Sequence, residues 1–271
     1  MCGRYAAGSE LDELVEAFDV AADNSREATR SLLKSPQDPP VGAPDYNMAP
    51  TKQAPIVLTR PDSPRQLRHL TWGLIPSWAK DTRVGLRMIN ARAETVLDKP
   101  AFARAASARR CLVPADGWYE WQVSPVAVDA KGKPRKQPFY IHRDDEVPLA
   151  FAGLYEFWRD PALDRDDPLA WVVSFAIVTT AADPDMDRIH DRQPLVLDPG
   201  DWDRWLDPEL TDPAVVGEML AFARPGRFAA HPVGTAIGSS RAKGVELTAP
   251  IPRSGLDGVL DPETGEIIER S

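Results

Sequence analysis

The sequence has few of the residues that hold metal ions or build disulfide frameworks. Its 271 residues include two cysteines and four histidines, and none of them has zinc-ligand spacing. A P-loop, a G-x-G-x-x-G fingerprint and a G-x-S-x-G elbow are also missing from the sequence. We therefore predict a reduced, cytoplasmic protein with no metal site and no cofactor.

Long apolar runs are missing as well. No stretch of ~18 apolar residues is present, and the first residues contain no apolar secretory segment, so we predict a soluble protein without a membrane partner. The net charge of −9 argues against nucleic acid as a partner. Arginine nevertheless outnumbers lysine 24 to 8, and arginine favours bidentate phosphate contacts. Acidic residues are concentrated at 160–167, 183–187 and 198–207. A local basic groove elsewhere on the surface is therefore compatible with the negative net charge.

Proline is abundant, with 27 residues, and short β-branched runs alternate with turn signals from Tyr46 onward. This pattern predicts many strands, the last of them at 245–251. Helices are predicted at four places, namely 9–20, 94–110 with a break at Pro100, 198–207 and 212–226. The predicted strands and helices do not alternate along the chain as βαβ units require. The prediction is an α+β fold with a mainly antiparallel or mixed, barrel-like β core and peripheral helices.

No domain boundary stands out in the sequence. We predict one domain over residues 1–252, which includes a loop insertion at 21–45, followed by an extended C-terminal tail at 253–271. The basic segment 130–137, "AKGKPRKQ", is interpreted as a solvated hairpin tip in preference to an added binding surface.

Cys2 raises the first question about chemistry. If Met1 is removed, Cys2 carries a thiol and a free α-amine, whose pKa of ~7.7–8 leaves part of it neutral. Such an amine forms a Schiff base with an aldehyde, and the thiol can then close a thiazolidine ring intramolecularly. The Met1-Cys2 pair alone favours the alternative that Cys2 is simply a tolerated residue at a disordered chain end. Cys111, inside an apolar run, is predicted to be a buried strand residue.

Three further segments carry candidate groups. Glu120 lies among aromatic residues, and in a strand it shares a face with Trp118, so desolvation would raise its pKa and suit general acid–base work. Asn90 and Arg92 share a face and offer an amide and a phosphate fork. His190 exchanges protons near neutral pH. Taken singly, Glu120 is equally compatible with an edge-strand position facing water, and for Asn90, Arg92 and His190 an ordinary turn, helix-end or surface position is favoured.

Eight segments together resemble one family. They are similar, in the same order, to the successive motifs of the SOS response-associated peptidase (SRAP) family, and they cover roughly residues 1–205: "MCGRY", "YNMAPT", "WGLIPSWA", "NARAET", "RRCLVPADGWYEW", "FAGLYE", "TTAA" and "IHDRQP".

The resemblance implies a barrel-like α+β domain with a basic groove for single-stranded DNA. It also implies an enzyme that binds abasic sites in single-stranded DNA and crosslinks to them through Cys2, as a thiazolidine with the sugar aldehyde. Such a protein is a lyase- or hydrolase-type enzyme of the DNA-damage (SOS) response, whose Met1 is removed either by the protein itself or by a separate aminopeptidase. It would act as a cytoplasmic monomer, associated with the nucleoid when bound to damaged DNA.

The resemblance also assigns roles to residues. Cys2 is the nucleophile, Asn90 positions the amine or the sugar, Glu120 shuttles protons, and His190 assists this chemistry and its reversal. The DNA-binding residues comprise three arginines for phosphates, three tryptophans for stacking and three further contacts: Arg4, Arg92, Arg192, Trp72, Trp78, Trp121, Asn47, Pro50 and Thr179.

One residue departs from the family pattern, and two other functions stay open. Gln193 stands where the family usually has methionine, and we expect a packing change there without loss of chemistry. The first alternative is an N-terminal-nucleophile amidohydrolase, since some glutamine amidotransferases also begin Met-Cys-Gly. The second is a non-catalytic single-strand binder in which Cys2 is inert.

Overall fold

A computed structural model describes residues 2–27, 29–145, 147–164, 166–221, 227–262 and 264–269. The strands run in chain order as follows: β1 Tyr5–Ala7, β2 Ala22–Asp23, β3 Asp45–Met48, β4 Gln53–Leu58, β5 Gln66–Trp72, β6 Asn90–Arg92, β7 Arg110–Ala115, β8 Gly117–Val128, β9 Pro134–Arg143, β10 Leu149–Arg159, β11 Trp171–Ala181, β12 Arg192–Pro194, β13 Val196–Leu197 and β14 Phe228–Pro232. The helices are α1 Leu11–Ala17, α2 Ala103–Ala108, α3 Pro199–Leu206 and α4 Pro213–Met219. Within these described ranges, no helix is long and apolar enough to cross a membrane.

Five strands close into a barrel. Strand β4 pairs with β5 and β7, β7 pairs with β10, and β10 pairs with β11, all antiparallel. A parallel pairing of β11 with β5 completes the ring. Alternate residues of these strands point inward, and Leu70, Cys111, Tyr155 and Phe175 belong to one buried cluster. The predicted barrel-like, mixed β core is confirmed.

A second sheet covers one end of the barrel. Its strand order is β14-β9-β8-β1-β3. The ring of Tyr5 meets Trp72 and Phe151 at centroid distances of 5.2 and 5.8 Å, and Trp118 meets Phe151 at 6.0 Å, all edge to face. We call this aromatic-plugged end of the barrel the closed end.

Helices cover the outer wall of the barrel, as predicted. Leu14 of α1 and Trp205 of α3 are buried in one cluster with outward-facing strand residues such as Leu112. Phe18, which ends α1, stacks on Trp202 at 4.6 Å. Proline opens α3 and α4, where its fixed φ suits a first turn. The predicted helix at 94–110 is regular only within α2, after Pro100, and residues 222–226 of the last predicted helix lie outside the described ranges.

The prediction of a final strand at 245–251 is wrong. Val245–Thr248 form a 3₁₀ turn, which follows Gly244 at φ +95°. This left-handed backbone conformation suits glycine and turns the chain out of an extended path. Leu247 then packs into a small cluster beside Tyr119 instead of pairing in a sheet.

The prediction of an extended tail from residue 253 is also wrong. Leu256, Val259 and Ile268 are buried in the central core cluster, and Leu260 bridges Ile267. Gln122 of β8 donates from Nε2 to the Leu260 carbonyl at 2.8 Å and accepts from the Leu260 amide at Oε1 at 2.8 Å. We call residues 256–268, apart from residue 263, the C-terminal strap.

Two predicted loops have the expected character. Among the described residues of 21–45, only β2 and the start of β3 are strand, and Gln37 fastens this loop by exchanging two hydrogen bonds with the Gln53 backbone. The basic segment at 130–137 is the tip of the β8–β9 hairpin. There the Asp129 carboxylate accepts the amide hydrogens of Lys131 and Lys133. The hairpin-tip interpretation is confirmed.

Candidate active site around Cys2

Cys2 lies at the closed end, two residues before the Arg4–Tyr5 junction where β1 begins, and it is fully buried. Its backbone carbonyl accepts a hydrogen bond from Asn90 Nδ2 at 2.8 Å. Strand β6 pairs in parallel with β11, with Asn90 opposite Ile177, and this pairing carries the amide to Cys2. Residues 2 and 90 are thus joined although 88 positions separate them. Met1 lies outside the described residues.

Glu120 is the buried carboxyl group of this site. It sits in the middle of β8 opposite Phe139, and only 2% of its surface is exposed. The predicted alternation is present, because Trp118 joins the central core while Tyr119 packs on the other face of the sheet. Burial raises the pKa of Glu120 to about 7. A carboxyl group with that pKa can both donate and accept a proton near neutral pH.

His190 is the second titratable group. Its Nε2 is 3.9 Å from Glu120 Oε2, and burial lowers the pKa of His190 below its ordinary value. Nδ1 accepts the Arg192 amide hydrogen at 3.0 Å, so the neutral ring carries its proton on Nε2, facing Glu120. Asp191 Oδ1 is also 3.0 Å from Nδ1. Protonation would allow Nδ1 to donate to Asp191 instead.

The charge of Glu120 also acts on the Cys2 thiol. Burial raises the pKa of the Cys2 thiol well above its ordinary value, and the negative charge of Glu120 raises it further. The thiol is therefore protonated at neutral pH, and its Sγ donates to the Arg4 carbonyl at 3.8 Å. In the described part of the chain, the buried Tyr5 hydroxyl and Asn90 Oδ1 have no hydrogen-bond partner. Two polar atoms beside Cys2 are therefore available to a ligand.

The arginines predicted to bind phosphate differ in their surroundings. Arg92 is exposed, and Arg4 is half-buried, which lowers its pKa. Arg192 is engaged by the Glu94 carboxylate, at 2.6 and 3.0 Å, and by the Thr179 carbonyl, at 2.7 Å. A phosphate at Arg192 would have to compete with Glu94. Glu94 was not predicted from the sequence, although it lies in the "NARAET" motif.

Three residues predicted to contact DNA have buried side chains that already have partners in this structure. Trp72 is fully buried between Tyr5 and Phe175, and its indole N–H donates to the Ile89 carbonyl at 2.9 Å. Asn47, also fully buried, donates to the Ser239 and Ala242 carbonyls at 2.9 and 3.0 Å. Thr179 is 1% exposed and supports Arg192 through its carbonyl.

Other predicted contacts remain accessible. Trp78 is 62% exposed, and Trp121 and Pro50 are half-buried. Their contact with DNA stays a prediction. Gln193 is buried and exchanges two hydrogen bonds with Asp183, both at 2.9 Å. It therefore packs beside the His190 segment and does not enter the Glu120–His190 contact.

The family assignment follows from the sequence match. The family model described as "SOS response associated peptidase (SRAP)" matches residues 1–240. The chain belongs to the SRAP family. Abasic site processing protein YoqW of Bacillus subtilis, a curated relative, is 35% identical over 91% of this chain and 98% of YoqW. Abasic site processing protein YedK of Escherichia coli is 31% identical, over 93% of this chain and 100% of YedK.

The SRAP fold is also present among solved structures. A crystal structure of a protein from Bacteroides thetaiotaomicron superimposes with a TM-score of 0.71 at 22% identity, and the match covers 93% of this chain and 100% of that one. This likeness concerns the fold alone. The C-terminal strap lies beyond the 240 residues that the SRAP model matches.

Proposed function

We propose that this SRAP protein processes abasic sites in single-stranded DNA by forming a covalent crosslink through Cys2. The observation that carries the proposal is the arrangement at the closed end. Asn90 holds the Cys2 carbonyl, and Glu120 acts electrostatically on the Cys2 thiol and lies 3.9 Å from His190. The names of the curated relatives, abasic site processing proteins, support this function.

The proposed reaction starts with removal of Met1, which turns the Cys2 nitrogen into a primary amine. This amine adds to the aldehyde carbon of the ring-opened abasic sugar and gives a carbinolamine. Protonated Glu120 donates a proton to the departing hydroxyl group, and water leaves as the C=N bond forms.

Ring closure uses the same carboxyl group in its other state. The Cys2 sulfur adds to the C=N carbon, and the Glu120 carboxylate accepts the thiol proton. One C–N and one C–S bond form in total, and the aldehyde oxygen leaves as water. The pKa of about 7 suits both proton transfers. His190, with its proton on Nε2, assists Glu120 in opening the sugar ring.

Asn90 and two arginines complete the proposal. By fixing the Cys2 carbonyl, Asn90 restricts rotation of the amine relative to the thiol, which favours the intramolecular second step. The exposed Arg92 and the half-buried Arg4 would hold phosphates on either side of the lesion.

Incubation with a defined single strand tests this function. Mature protein, with loss of Met1 verified by mass spectrometry, is mixed with an abasic oligonucleotide or with the intact oligonucleotide of the same sequence. We expect a heat-stable adduct with the abasic strand only, whose mass equals the two components less one water. Cys2→Ala protein, and protein that retains Met1, should give none.

Two results would contradict the proposal and point to the alternatives. Equal affinity for both strands without any adduct would indicate a non-catalytic single-strand binder. Release of ammonia from glutamine, with no adduct, would indicate an N-terminal-nucleophile amidohydrolase.

A further inference from the structure

The barrel end opposite Cys2 opens into a cavity of about 850 Å³. Arginine and aromatic side chains dominate its lining. We call it the arginine mouth and define it by six residues: Arg60, Arg68, Arg104, Arg109, Phe157 and Trp171.

The strand register explains why these side chains meet. Arg68 lies two residues before the inward-facing Leu70 on β5, and Phe157 lies two residues after the inward-facing Tyr155 on β10. Residues two apart on a strand point to the same side. By the same spacing, Arg60 follows Leu58, Arg109 precedes Cys111, and Trp171 precedes Val173. Strands β5, β10 and β11 therefore contribute residues to the mouth, and Arg60 and Arg109 lie just outside the ends of β4 and β7.

The mouth is separate from the Cys2 site. Leu70, Tyr155 and Phe175 fill the barrel between the two ends and are almost fully buried. Along β11, Val173 lines the mouth, whereas Ile177 pairs with Asn90 beside Cys2. Four residues of strand separate these positions by about 13 Å.

The charge of the mouth contrasts with that of the chain. The whole protein has a net charge of −9, yet five arginines and only one carboxylate, Glu156, line this cavity. Glu156 Oε2 accepts from Arg109 at 2.6 Å. Two other lining arginines, Arg30 and Arg68, pair with carboxylates at the rim.

Two of the lining arginines, Arg60 and Arg104, differ from the other three. In the residues that the structure describes, neither Arg60 nor Arg104 has an acidic partner. The Arg60 guanidinium lies over the Phe157 ring, 5.2 Å from its centroid, and Arg104 is exposed on α2. Planar guanidinium groups with free donors match the oxygens of a phosphate.

An aromatic face lies beside these cations. Trp171 is 47% exposed, although most large apolar side chains of this protein are buried. Exposed indole rings in basic clefts stack on nucleobases, since every base offers a π-face. A cavity of this size lies within the range of small-ligand sites.

We propose that the arginine mouth is a binding site for a nucleoside phosphate, separate from the Cys2 site. Arg60 and Arg104 hold the phosphate, and Trp171 stacks on the base. This inference does not rest on the proposed crosslinking function, because it uses no residue of the closed end.

Calorimetric titration of the full-length Cys2→Ala protein tests the site. The probes are dAMP, inorganic phosphate and deoxyadenosine. We expect dAMP to bind more tightly than either fragment, and the variant that also carries R60Q and R104Q to lose at least about tenfold in affinity. Added Trp171→Ala should weaken dAMP binding but not phosphate binding. Arg241→Gln, at an exposed arginine of the 3₁₀-rich C-terminal region, is the charge-matched control for R104Q alone and should change nothing.

Several outcomes would overturn the proposal. They are no dAMP binding at millimolar concentration, binding that the R60Q/R104Q change leaves intact, and equal binding of phosphate and dAMP. Thermal unfolding of each variant, and R104Q alone, control for misfolding. A last arm uses an intact oligonucleotide, because Ser77 lines the mouth beside the exposed Trp78. If only the oligonucleotide responds to R60Q/R104Q, the mouth belongs to a DNA path and is not a separate site.

Discussion

The two ends of the barrel differ in the sign of their charged groups and in the exposure of those groups to water. At the closed end an aromatic sheet excludes water, so Glu120 is buried and its pKa rises to about 7. At the arginine mouth the guanidinium groups are partly wet, and most are balanced by carboxylates. One barrel therefore raises the pKa of a carboxyl group by desolvation at one end and presents permanently charged arginines at the other.

The two cysteines allow a second comparison, between two buried thiols. Both are fully buried, and burial raises the pKa of each thiol. Burial alone raises the pKa of the Cys111 thiol, whereas the charge of Glu120 also raises that of the Cys2 thiol. Burial alone therefore does not distinguish the proposed nucleophile Cys2 from Cys111, whereas the neighbouring Glu120 does.

Replacing each cysteine by alanine should give the largest contrast. Cys2→Ala removes the proposed nucleophile, so we expect no adduct with abasic single-stranded DNA. Cys111→Ala leaves the closed end intact and should keep the full adduct yield, with a loss of about 1 kcal/mol in stability from the small cavity. Denaturing gels measure the yield, and urea unfolding measures the stability. Loss of the adduct in both variants would remove the distinction between the two cysteines.

Glu120→Gln should have the next largest effect on the reaction. Loss of the proton shuttle is expected to slow adduct formation by about 10²- to 10⁴-fold. The wild-type rate should change with pH around pH 7, where Glu120 titrates. The variant should lose this inflection and keep only the rise with pH that follows deprotonation of the Cys2 α-amine, as rapid-quench time courses between pH 5.5 and 8.5 would measure. A wild-type profile without an inflection near pH 7 would count against Glu120.

The same substitution should stabilise the protein at high pH. Because burial raises the pKa of Glu120 from 4.5 to about 7, the fold favours the protonated form. That contribution to stability is fully present below about pH 4.5 and is lost as the pH rises through about 7. Glu120→Gln stays neutral, so its advantage over wild type should be up to about 3 kcal/mol at pH 8 and absent at pH 4. Urea unfolding at the two pH values provides the check.

Asn90→Ala should have a smaller effect, on positioning. Without the donor to the Cys2 carbonyl, we expect the crosslinking rate to fall about tenfold at saturating DNA. Asn90→Asp is the matched control, since it keeps the size but cannot donate, and it should be equally slow. An Asn90→Asp variant with wild-type rate would show that the hydrogen bond is not needed.

Arg109→Met should have the smallest effect on crosslinking, because it changes only the arginine mouth. It leaves the buried Glu156 unpaired, which should cost about 3 kcal/mol in stability, and adding E156Q should recover most of that loss. The adduct yield of the folded protein should be unchanged, as denaturing gels at low temperature would measure. A loss of yield in the folded variant would mean that the two ends are coupled.

Local patterns carried much of the prediction. The alternation around Glu120 placed it on the buried face of β8, and the prolines marked the starts of α3 and α4, because these signals depend on neighbouring residues. The parallel β5–β11 seam was not predictable in this way. It joins residues about 100 positions apart, and no local rule selects that pairing.

The features that were not predicted share one physical origin, because they depend on contacts between residues that are distant in sequence. Trp72 and Trp78 lie six residues apart in one motif, and only the barrel register buries the first and exposes the second. The arginine mouth escaped prediction because Arg60, Arg109 and Trp171 are distant in sequence and meet only when the ring closes. The C-terminal strap has too few apolar residues to show a period, although three of them reach the core.

The C-terminal strap has a consequence for how this protein can be shortened. Gln122 Nε2, two residues from Glu120, also donates to the Arg188 carbonyl at 3.0 Å, and Arg188 donates to the Pro262 carbonyl at 2.7 Å. The strap therefore holds the segment that contains His190 against the strand that contains Glu120. A chain cut after residue 252 retains every family motif but loses these hydrogen bonds to the strap. It should fold with a looser Glu120–His190 pair, visible as faster hydrogen exchange at 188–191.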